Sequence, residues 1–298
     1  MSAIDLSQLP APEILEALDF EAICTAMKAD MVTRYPDCAD LLGLESEPLV
    51  KLIEVCAYRE LILRARYNDE GRAVMLAFAT GADLDHIGVT YYQESRLIIT
   101  PADPAAIPPV ATVLETDDAY RQRLVLKPDS WSVAGPAGAY RFHALSASGL
   151  VLDAGVTSPT PGTTTVHILS REDGGIPSTT VLYAVQQTLN AETVRPLSEA
   201  VIVQAAELIN YNIDVGLWIY AGPSSELAHA AALAALQAWA DAAFRLGHDI
   251  APSAIIAAAH VAGVQSVQLA APYSEIAIGP GQAPRCTSIS VCIVGVRT

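Results

Sequence analysis

The chain has 298 residues and a formal net charge of −16, with 17 lysines and arginines against 33 aspartates and glutamates. This balance argues against a protein that binds nucleic acid through a basic surface, because a phosphate polymer is held mainly by clustered cations. Hydrophobic residues make up 52% of the chain and charged residues only 17%, so there is ample apolar surface to bury and the chain is not a disordered one. Its length favours two or three domains.

The first hundred residues are predicted to be helical. Apolar residues at spacings of three and four predict a helix over 19–34, and a longer helix is predicted over 47–76. The later half of the second helix is the most charged segment of the chain. Within it, Glu60 and Arg64 are four residues apart in the order that favours a helical ion pair.

The middle of the chain is predicted to be a linker followed by short helices. Four prolines fall within residues 101–109, which is too many for a helix or an inner strand, so residues 96–116 are predicted to be extended. Short helices are predicted over 117–124 and 136–146.

From residue 149 the hydrophobic period changes to two, which predicts strands. A first unit contains two strands joined by a turn, then a helix and a strand, predicted over 150–158, 163–170, 178–189 and 199–204. A second unit contains a strand, an alanine-rich helix, another helix and two strands, predicted over 209–220, 223–246, 253–260, 264–269 and 288–296. Each unit fits a small sheet with helices on one face. The predicted class is α+β, with a helical N-terminal part followed by two small α/β domains.

Two features of composition bear on location. Residues 250–274 lack charged side chains and are long enough to span a membrane, but prolines, a glycine and polar residues interrupt them, which favours a buried helix followed by a strand. No secretory signal is readable near residue 1, so we expect the protein to be made in the cytoplasm of its host.

The chain lacks the common motifs of catalysis. It has no phosphate-binding loop, no G-x-S-x-G elbow and no H-E-x-x-H pair, and its six histidines have no metal-ligand spacing, so no cofactor and no metal are expected. Two alternatives stay open: an enzyme whose site converges around His143, His167 or Asp153, and an adaptor stabilised by a metal site that only folding assembles. Cys286 and Cys292 are six residues apart and are expected to face the core side of a terminal sheet.

A set of short phrases runs in order along the whole chain and is far more specific jointly than any one phrase. The phrases lie at residues 4–12, 18–23, 47–48, 51–54, 57–60, 63–66, 77–86, 120–123, 134–140, 144–147, 194–197 and 262–264. Together they resemble the baseplate J-like proteins of contractile phage tails and phage-tail-like bacteriocin particles.

This resemblance implies a structural wedge subunit that is not an enzyme and has no catalytic residue. Two copies would join one smaller wedge protein, and six such wedges would close a ring around the central hub and spike. The ring would also contact a sheath-initiating wedge protein, and its change from closed to open would trigger contraction of the sheath. Neither nucleic-acid contact nor membrane insertion is expected, and the product would be assembled into the tail baseplate of a virion or phage-tail-like particle.

The resemblance also implies a role for each segment. Residues 1–95 would join a helical bundle with the partner and lead into a three-way branch, and residues 96–148 would be a proline-rich linker with short helices. Residues 149–205 would form a wing-like domain, and residues 206–298 a dimerisation domain.

Two sets of residues are candidates for partner interfaces. Arg59, Arg64, Arg66 and Asp69 lie on the charged part of the second helix, and arginine suits planar contacts with partner carboxylates. The alternative is a solvated helix with internal ion pairs. Leu227, Ala231, Ala234 and Ala238 fall near one face of the alanine-rich helix, where a second copy could pack closely. Burial against the chain's own sheet is the alternative there.

Overall fold

A computed structural model describes Leu6, Leu9 and residues 12–132, 135–221 and 225–297. The helices are α1 (Phe20–Arg34), α2 (Pro48–Ala73), α3 (Gly81–Ile87), α4 (Asp117–Leu126), α5 (Ala137–Ala147), α6 (Thr179–Leu189), α7 (Ser225–Ala243) and α8 (Pro252–Ala259). The strands are β1 (Ile98–Thr100), β2 (Val113–Leu114), β3 (Val151–Thr160), β4 (Thr163–Ser170), β5 (Ala200–Ala205), β6 (Glu207–Tyr220), β7 (Val264–Ala271) and β8 (Gln282–Arg297). This order confirms the predicted α+β class. The predicted start of the alanine-rich helix at Pro223, Ala134 and most of residues 4–12 lie outside the described residues.

The chain divides into two compact units, and the division falls within α4. Unit 1 contains the described residues up to Ser95 together with Asp117–Arg121, and unit 2 contains Arg96–Thr116 and the described residues from Gln122 onward. None of the described helices is both long enough and apolar enough to cross a membrane. Residues 250–274 contain α8 and β7, as the interrupted pattern predicts.

In unit 1, α1 packs against the first half of α2. Asp19 caps α1 by accepting a hydrogen bond from the Ala22 N–H at 3.0 Å, and the helix ends just before Pro36. The buried side chains that the two helices and the turns between them share are Ile23, Cys24, Cys38, Leu42, Val50, Ile53 and Ala57. The first half of α2 therefore has one side committed to this core.

The second half of α2 holds the segment that precedes α1. Asn68 is only 5% exposed, and its side-chain amide accepts from the Glu16 N–H at 2.9 Å and donates to the Glu16 carbonyl at 2.8 Å. Both backbone groups of one residue are thus satisfied by a single side chain. Residue 16 is fixed on α2 by polar contacts, because a buried amide must find its partners.

The central sheet of unit 2 has the strand order β3-β4-β5, with β3 antiparallel and β5 parallel to β4. Helices α5 and α6 cover one face, around a core that includes Tyr140, Val166, Ile168 and Leu189. Gln186 of α6 donates to the Val201 carbonyl at 3.1 Å and accepts from the Val203 N–H at 3.2 Å. One side chain therefore satisfies two backbone groups of edge strand β5, which protects that edge from pairing with another chain.

The C-terminal sheet has the order β7-β6-β8, with β7 antiparallel and β8 parallel to β6. Helices α7 and α8 cover one face, and alternate residues of β6 point into their core. The fully buried members of this core are Ile213, Val215, Leu217, Ala232, Leu236, Ile250, Ile255 and Ala259. Small alanines on α7 let the helix lie close to the sheet.

The proline-rich segment is held to unit 2 by a buried ion pair. Its ends form the short antiparallel pair β1 and β2. Glu115, 7% exposed, accepts from the Arg123 guanidinium at 2.8 Å, and Arg123 is 1% exposed. The Leu97 N–H donates to the same carboxylate at 3.3 Å, and Arg96 donates to the Glu115 carbonyl oxygen at 2.9 Å. The predicted linker is therefore fastened at both ends by one glutamate.

Replacing Arg123 by alanine should strand the buried Glu115 carboxylate and lower the free energy of unfolding of unit 2 by about 3–5 kcal/mol. Urea unfolding followed by circular dichroism measures this loss. Arg34→Ala is the matched control, because the Arg34–Asp30 pair is 74% and 61% exposed, and breaking such a surface pair costs at most about 1 kcal/mol. Equal losses in the two variants would contradict the assignment.

Candidate interaction surfaces

The side of α2 that points away from α1 is apolar as well as charged. Val55, Arg59, Ile62 and Arg66 follow one another at spacings of four, three and four, so they form one line along the helix. Val55 is 57% exposed and Ile62 is 44% exposed, whereas Ile53 and Ala57 on the opposite side are buried. We call the exposed face the α2 surface, and its members are Leu52, Val55, Arg59, Ile62, Leu63 and Arg66.

The four candidate residues of α2 do not all lie on this surface. Arg59 and Arg66 do, and Arg66 makes only an exposed pair with Glu70 at 2.8 Å. Arg64 instead turns toward the chain itself, pairing with Glu60 as the sequence predicts and with Glu16 at 3.3 Å. Among the described residues, Arg59 has no hydrogen-bond or ion-pair partner.

Asp69 lies at the exposed end of the same helix. It pairs loosely with Arg72 at 3.6 Å, three residues further on. This contact is an internal surface ion pair of the kind that contributes little to stability. Internal pairing thus accounts for Arg64 fully and for Asp69 and Arg66 in part, while Arg59 has no internal pair within the described part of the chain.

Sequence reasoning missed the exposed apolar members of the α2 surface. Leu52 and Leu63 were counted only as apolar positions of the predicted helix, and Val55 and Ile62 were not singled out, yet all four are exposed. The signal was present as a second line of apolar residues at helical spacing. A helix with apolar residues on two sides buries one against its own chain and leaves the other uncovered.

The four candidate residues of α7 lie together on its outer face. Leu227 is 71% exposed, and Ala231, Ala234 and Ala238 are also exposed. The opposite face contains the buried residues Ala228, Ala232, Leu236, Ala240 and Ala243. Burial against the chain's own sheet, the alternative for the four candidates, is therefore wrong. We call these four residues the α7 surface.

The second face of the C-terminal sheet is uncovered by the described part of the chain. Asn212, Ser290 and Val294 are exposed on it, and Arg297 lies over the Trp218 ring at 3.9 Å. This face contains a tryptophan, a valine and few charges. Such a face is unusual on the exposed side of a sheet with a parallel strand pair, because parallel strands are normally covered on both faces.

The prediction for the two C-terminal cysteines is confirmed for Cys286 and wrong for Cys292. Cys286 pairs in register with Tyr211 on the helix-covered face, whereas Cys292 pairs with Gly216 on the uncovered face and is exposed. The cause is a bulge at Thr287, where the register shifts by one residue. Burial raises the pKa of the Cys286 thiol, so this group is kept protonated and is a poor nucleophile.

The residues of the alternative enzyme site make contacts that stabilise the fold. Asp153 is 6% exposed and pairs with Arg141 at 2.8 Å. His167 contacts the Thr157 hydroxyl through Nε2 at 3.1 Å, and the Gln204 amide nitrogen lies 3.3 Å from Nδ1. Because an amide nitrogen can only donate, Nδ1 accepts and the ring is neutral. Burial lowers the pKa of His167 accordingly.

His167 also borders a cleft of about 380 Å³ lined by Gln204, Glu207 and residues 279–282. The cleft is open, and Glu207 is the acidic side chain that lines it beside the histidine. The His143 and Phe142 rings pack in a T-shaped arrangement, with ring centroids 5.4 Å apart. Among the described residues, no three His, Cys, Asp or Glu side chains come close enough together to hold a metal ion.

Comparisons with known proteins cover nearly the whole chain. Three family models match in order: the baseplate J-like N-terminal domain at residues 45–103, the central domain at 132–205 and the C-terminal domain at 211–292. The chain is also 49% identical to baseplate protein J of Escherichia phage P2 over 300 residues, which cover 99% of each protein. The chain belongs to the baseplate J-like family.

A solved structure of the anti-feeding prophage baseplate contains a chain with 14% identity to this one. The match covers 67% of this chain and 50% of that chain, with a TM-score of 0.42. A TM-score this low does not show that the two chains share a fold.

Membership confirms the resemblance that the sequence phrases carry. The protein is a structural component of the baseplate of a phage or phage-like particle, in contact with other baseplate components, and is not an enzyme. The hypothesis of an enzyme near His143, His167 and Asp153 is therefore wrong.

Lowering the pH should destabilise unit 2 through His167. Its folded pKa lies below the unfolded value of about 6.5, so the unfolded chain binds the proton more readily, and stability is lost as the pH falls from about 6.5 through the folded pKa. His167→Gln should make the urea midpoint less sensitive to pH between 7.5 and 5.

Two other charged groups bear on this measurement. Glu207 lines the same cleft as His167 and is present both in the wild type and in the His167→Gln variant. Burial and Arg245 also lower the pKa of His248, so this second histidine contributes in the same direction. His248→Gln is the control for the contribution of His248 to the pH dependence. A wild-type pH dependence in His167→Gln would contradict the prediction.

Proposed function

We propose that the protein is a baseplate wedge subunit that joins a smaller wedge protein and a second copy of itself, in wedges that close a ring around the hub and spike. The ring also contacts a sheath-initiating wedge protein, and its opening triggers contraction of the sheath. Membership of the baseplate J-like family supports this role. The observation that carries the partner assignment is the α2 surface, in which exposed Val55 and Ile62 alternate with Arg59 and Arg66.

In this proposal the segments take the roles that the family implies. Residues 1–95 join the helical bundle and the three-way branch, residues 96–148 link them to the α/β part, residues 149–205 form the wing-like domain and residues 206–298 the dimerisation domain. The particle is a phage tail or a tail-like bacteriocin, made in the bacterial cytoplasm.

The α2 surface is suited to an amphipathic helix of the smaller wedge protein. Exposed Leu52, Val55, Ile62 and Leu63 offer an apolar line of four residues, and apolar patches of this kind mark contact sites. Arg59 and Arg66 sit within that line, where they would meet partner carboxylates in a bidentate geometry. A partner helix with glutamates or aspartates beside its own apolar stripe fits both features.

Replacing Arg59 and Arg66 by alanine should weaken binding of the smaller wedge protein at least about ten-fold, because interface arginines often contribute more than 1 kcal/mol each. Unfolding of the isolated chain should be unchanged. Co-purification and titration calorimetry measure the binding. Arg64→Ala is the matched control on the same helix: it should lower stability through the lost pairs with Glu16 and Glu60, and leave binding intact.

A stronger variant tests the apolar part of the same surface. Val55→Asp with Ile62→Asp should abolish the complex, whereas Thr25→Asp with Ala29→Asp, at exposed positions of α1, should retain it. Binding that survives the first pair of changes would show that the α2 surface is solvated in the assembly.

The α7 surface is suited to a second copy, since alanines allow two helices to approach closely. Ala234→Glu with Ala238→Glu should leave α7 folded, because both positions are exposed and glutamate is a good helix former. Self-association measured by analytical ultracentrifugation should weaken at least about ten-fold, because buried unpaired charges disrupt an interface. Ala29→Glu on α1 is the control, and equal self-association in both variants would overturn the assignment.

A further inference from the structure

The central and C-terminal domains of unit 2 are joined by almost no chain. Strand β5 ends at Ala205 and β6 begins at Glu207, so a single residue separates the two sheets. That residue is itself held, because the Ala206 N–H donates to the Ile168 carbonyl at 2.9 Å and the Glu207 N–H to the Gly281 carbonyl at 3.1 Å. A linker of one residue whose backbone is held by hydrogen bonds cannot act as a free hinge.

The C-terminal domain also covers the second face of the central sheet. Asp153, Gly155, His167 and Leu169 lie on the face of β3 and β4 opposite to α5 and α6, as their cross-strand register requires. Leu169 is fully buried there. Gly175 lies between Leu169 and the side chains of Phe244 and Leu208, so an apolar contact joins the two domains.

A buried carboxylate fastens this contact. Asp153 accepts from Arg141 at 2.8 Å and from the Ala154 N–H at 2.8 Å, both within the central domain. Its second oxygen accepts from the Leu246 N–H at 3.0 Å, in the loop after α7. The arginine holds the carboxylate in place, so its hydrogen bond to the other domain is directional and charge-assisted.

Two glycines let the two domains approach closely, one against backbone and one against a side chain. A Cβ atom on Gly155 would lie 2.4 Å from the Pro280 carbonyl oxygen, and one on Gly281 would lie 2.5 Å from the His167 ring. Side chains larger than hydrogen do not fit at either position. The contact is therefore close-packed, and packed interiors transmit displacement instead of absorbing it.

From these four observations we infer that the central and C-terminal domains of unit 2 form one rigid body and do not move relative to each other. The set of contacts, here called the interlock, consists of Asp153, Gly155 and His167 on the central sheet with Leu246, Pro280 and Gly281 of the C-terminal domain. Any conformational change of the chain is then taken up outside the interlock. This inference stands without the proposed wedge function.

Hydrogen exchange of the full chain in increasing urea tests the inference. In the wild type, peptides from β3 and β4 and peptides from β6 and β8 should lose protection at one urea concentration, because a rigid body unfolds cooperatively. Gly281→Ala should separate the two midpoints by forcing His167 away. Gly279→Ala is the matched control, since its Cβ would meet only the flexible end of Gln282, at 3.2 Å, and it should retain the common midpoint.

Asp153→Asn is a second variant that leaves the shape of the contact unchanged. Exchange under native conditions should become about ten-fold faster in residues 151–157 and 244–247 together, the factor expected when a hydrogen bond to a charged group is lost. Separate midpoints in the wild type would overturn the inference. So would a common midpoint in Gly281→Ala, or faster exchange in Asp153→Asn confined to residues 151–157.

Discussion

The constraint on which the rest of the structure depends is that a three-stranded sheet has two faces and its own helices cover only one. Both sheets of unit 2 contain a parallel strand pair, and such pairs are normally buried on both sides. The central sheet meets this requirement with α5 and α6 on one face and the C-terminal domain on the other. The C-terminal sheet has α7 and α8 on one face and no cover on its second face within the described chain.

The few buried charges serve to fix geometry. Arg123 and Glu115 form a buried pair that anchors the proline-rich segment, and Asp153 directs one oxygen across the interlock. A buried ion pair adds little net stability, because desolvation offsets much of the attraction. Removing one partner is nevertheless costly, so each pair specifies a single arrangement. The exposed charges of α2 differ, because Arg59 and Arg66 lie beside exposed apolar residues, where the proposed function has them select a partner.

Periodicity in the sequence was sufficient to predict most of the fold. Strand 163–170 was predicted at its observed bounds, and helix 19–34 differs from α1 only by its capping residue Asp19. The bulge at Thr287 could not be predicted, because one extra residue in a strand leaves the hydrophobic composition unchanged while it reverses the face of the side chains that follow, here as far as the second register shift after Ile293. Period alone also failed on α2: it shows that a helix has apolar residues, but the choice between Ile53 and Val55 as the buried side depends on where α1 packs. Spacing in the sequence predicts the pair of Arg64 with Glu60, but its second pair, with Glu16, depends on the folded position of that residue.

The interlock and the α7 surface belong to one mechanical unit, which constrains the proposed assembly. If a second copy binds at Ala234 and Ala238, it fixes the orientation of α7, and α7 packs on the C-terminal sheet. Through Leu246 and Gly281 that sheet fixes the central sheet, so binding at one surface orients both domains at once. Alanines suit this arrangement because they hold α7 close to its sheet and have no flexible side chains that would absorb the displacement. In the proposed assembly, a ring of such rigid arms would change shape at its contacts between subunits and at joints outside the interlock, and not by bending of the arms themselves.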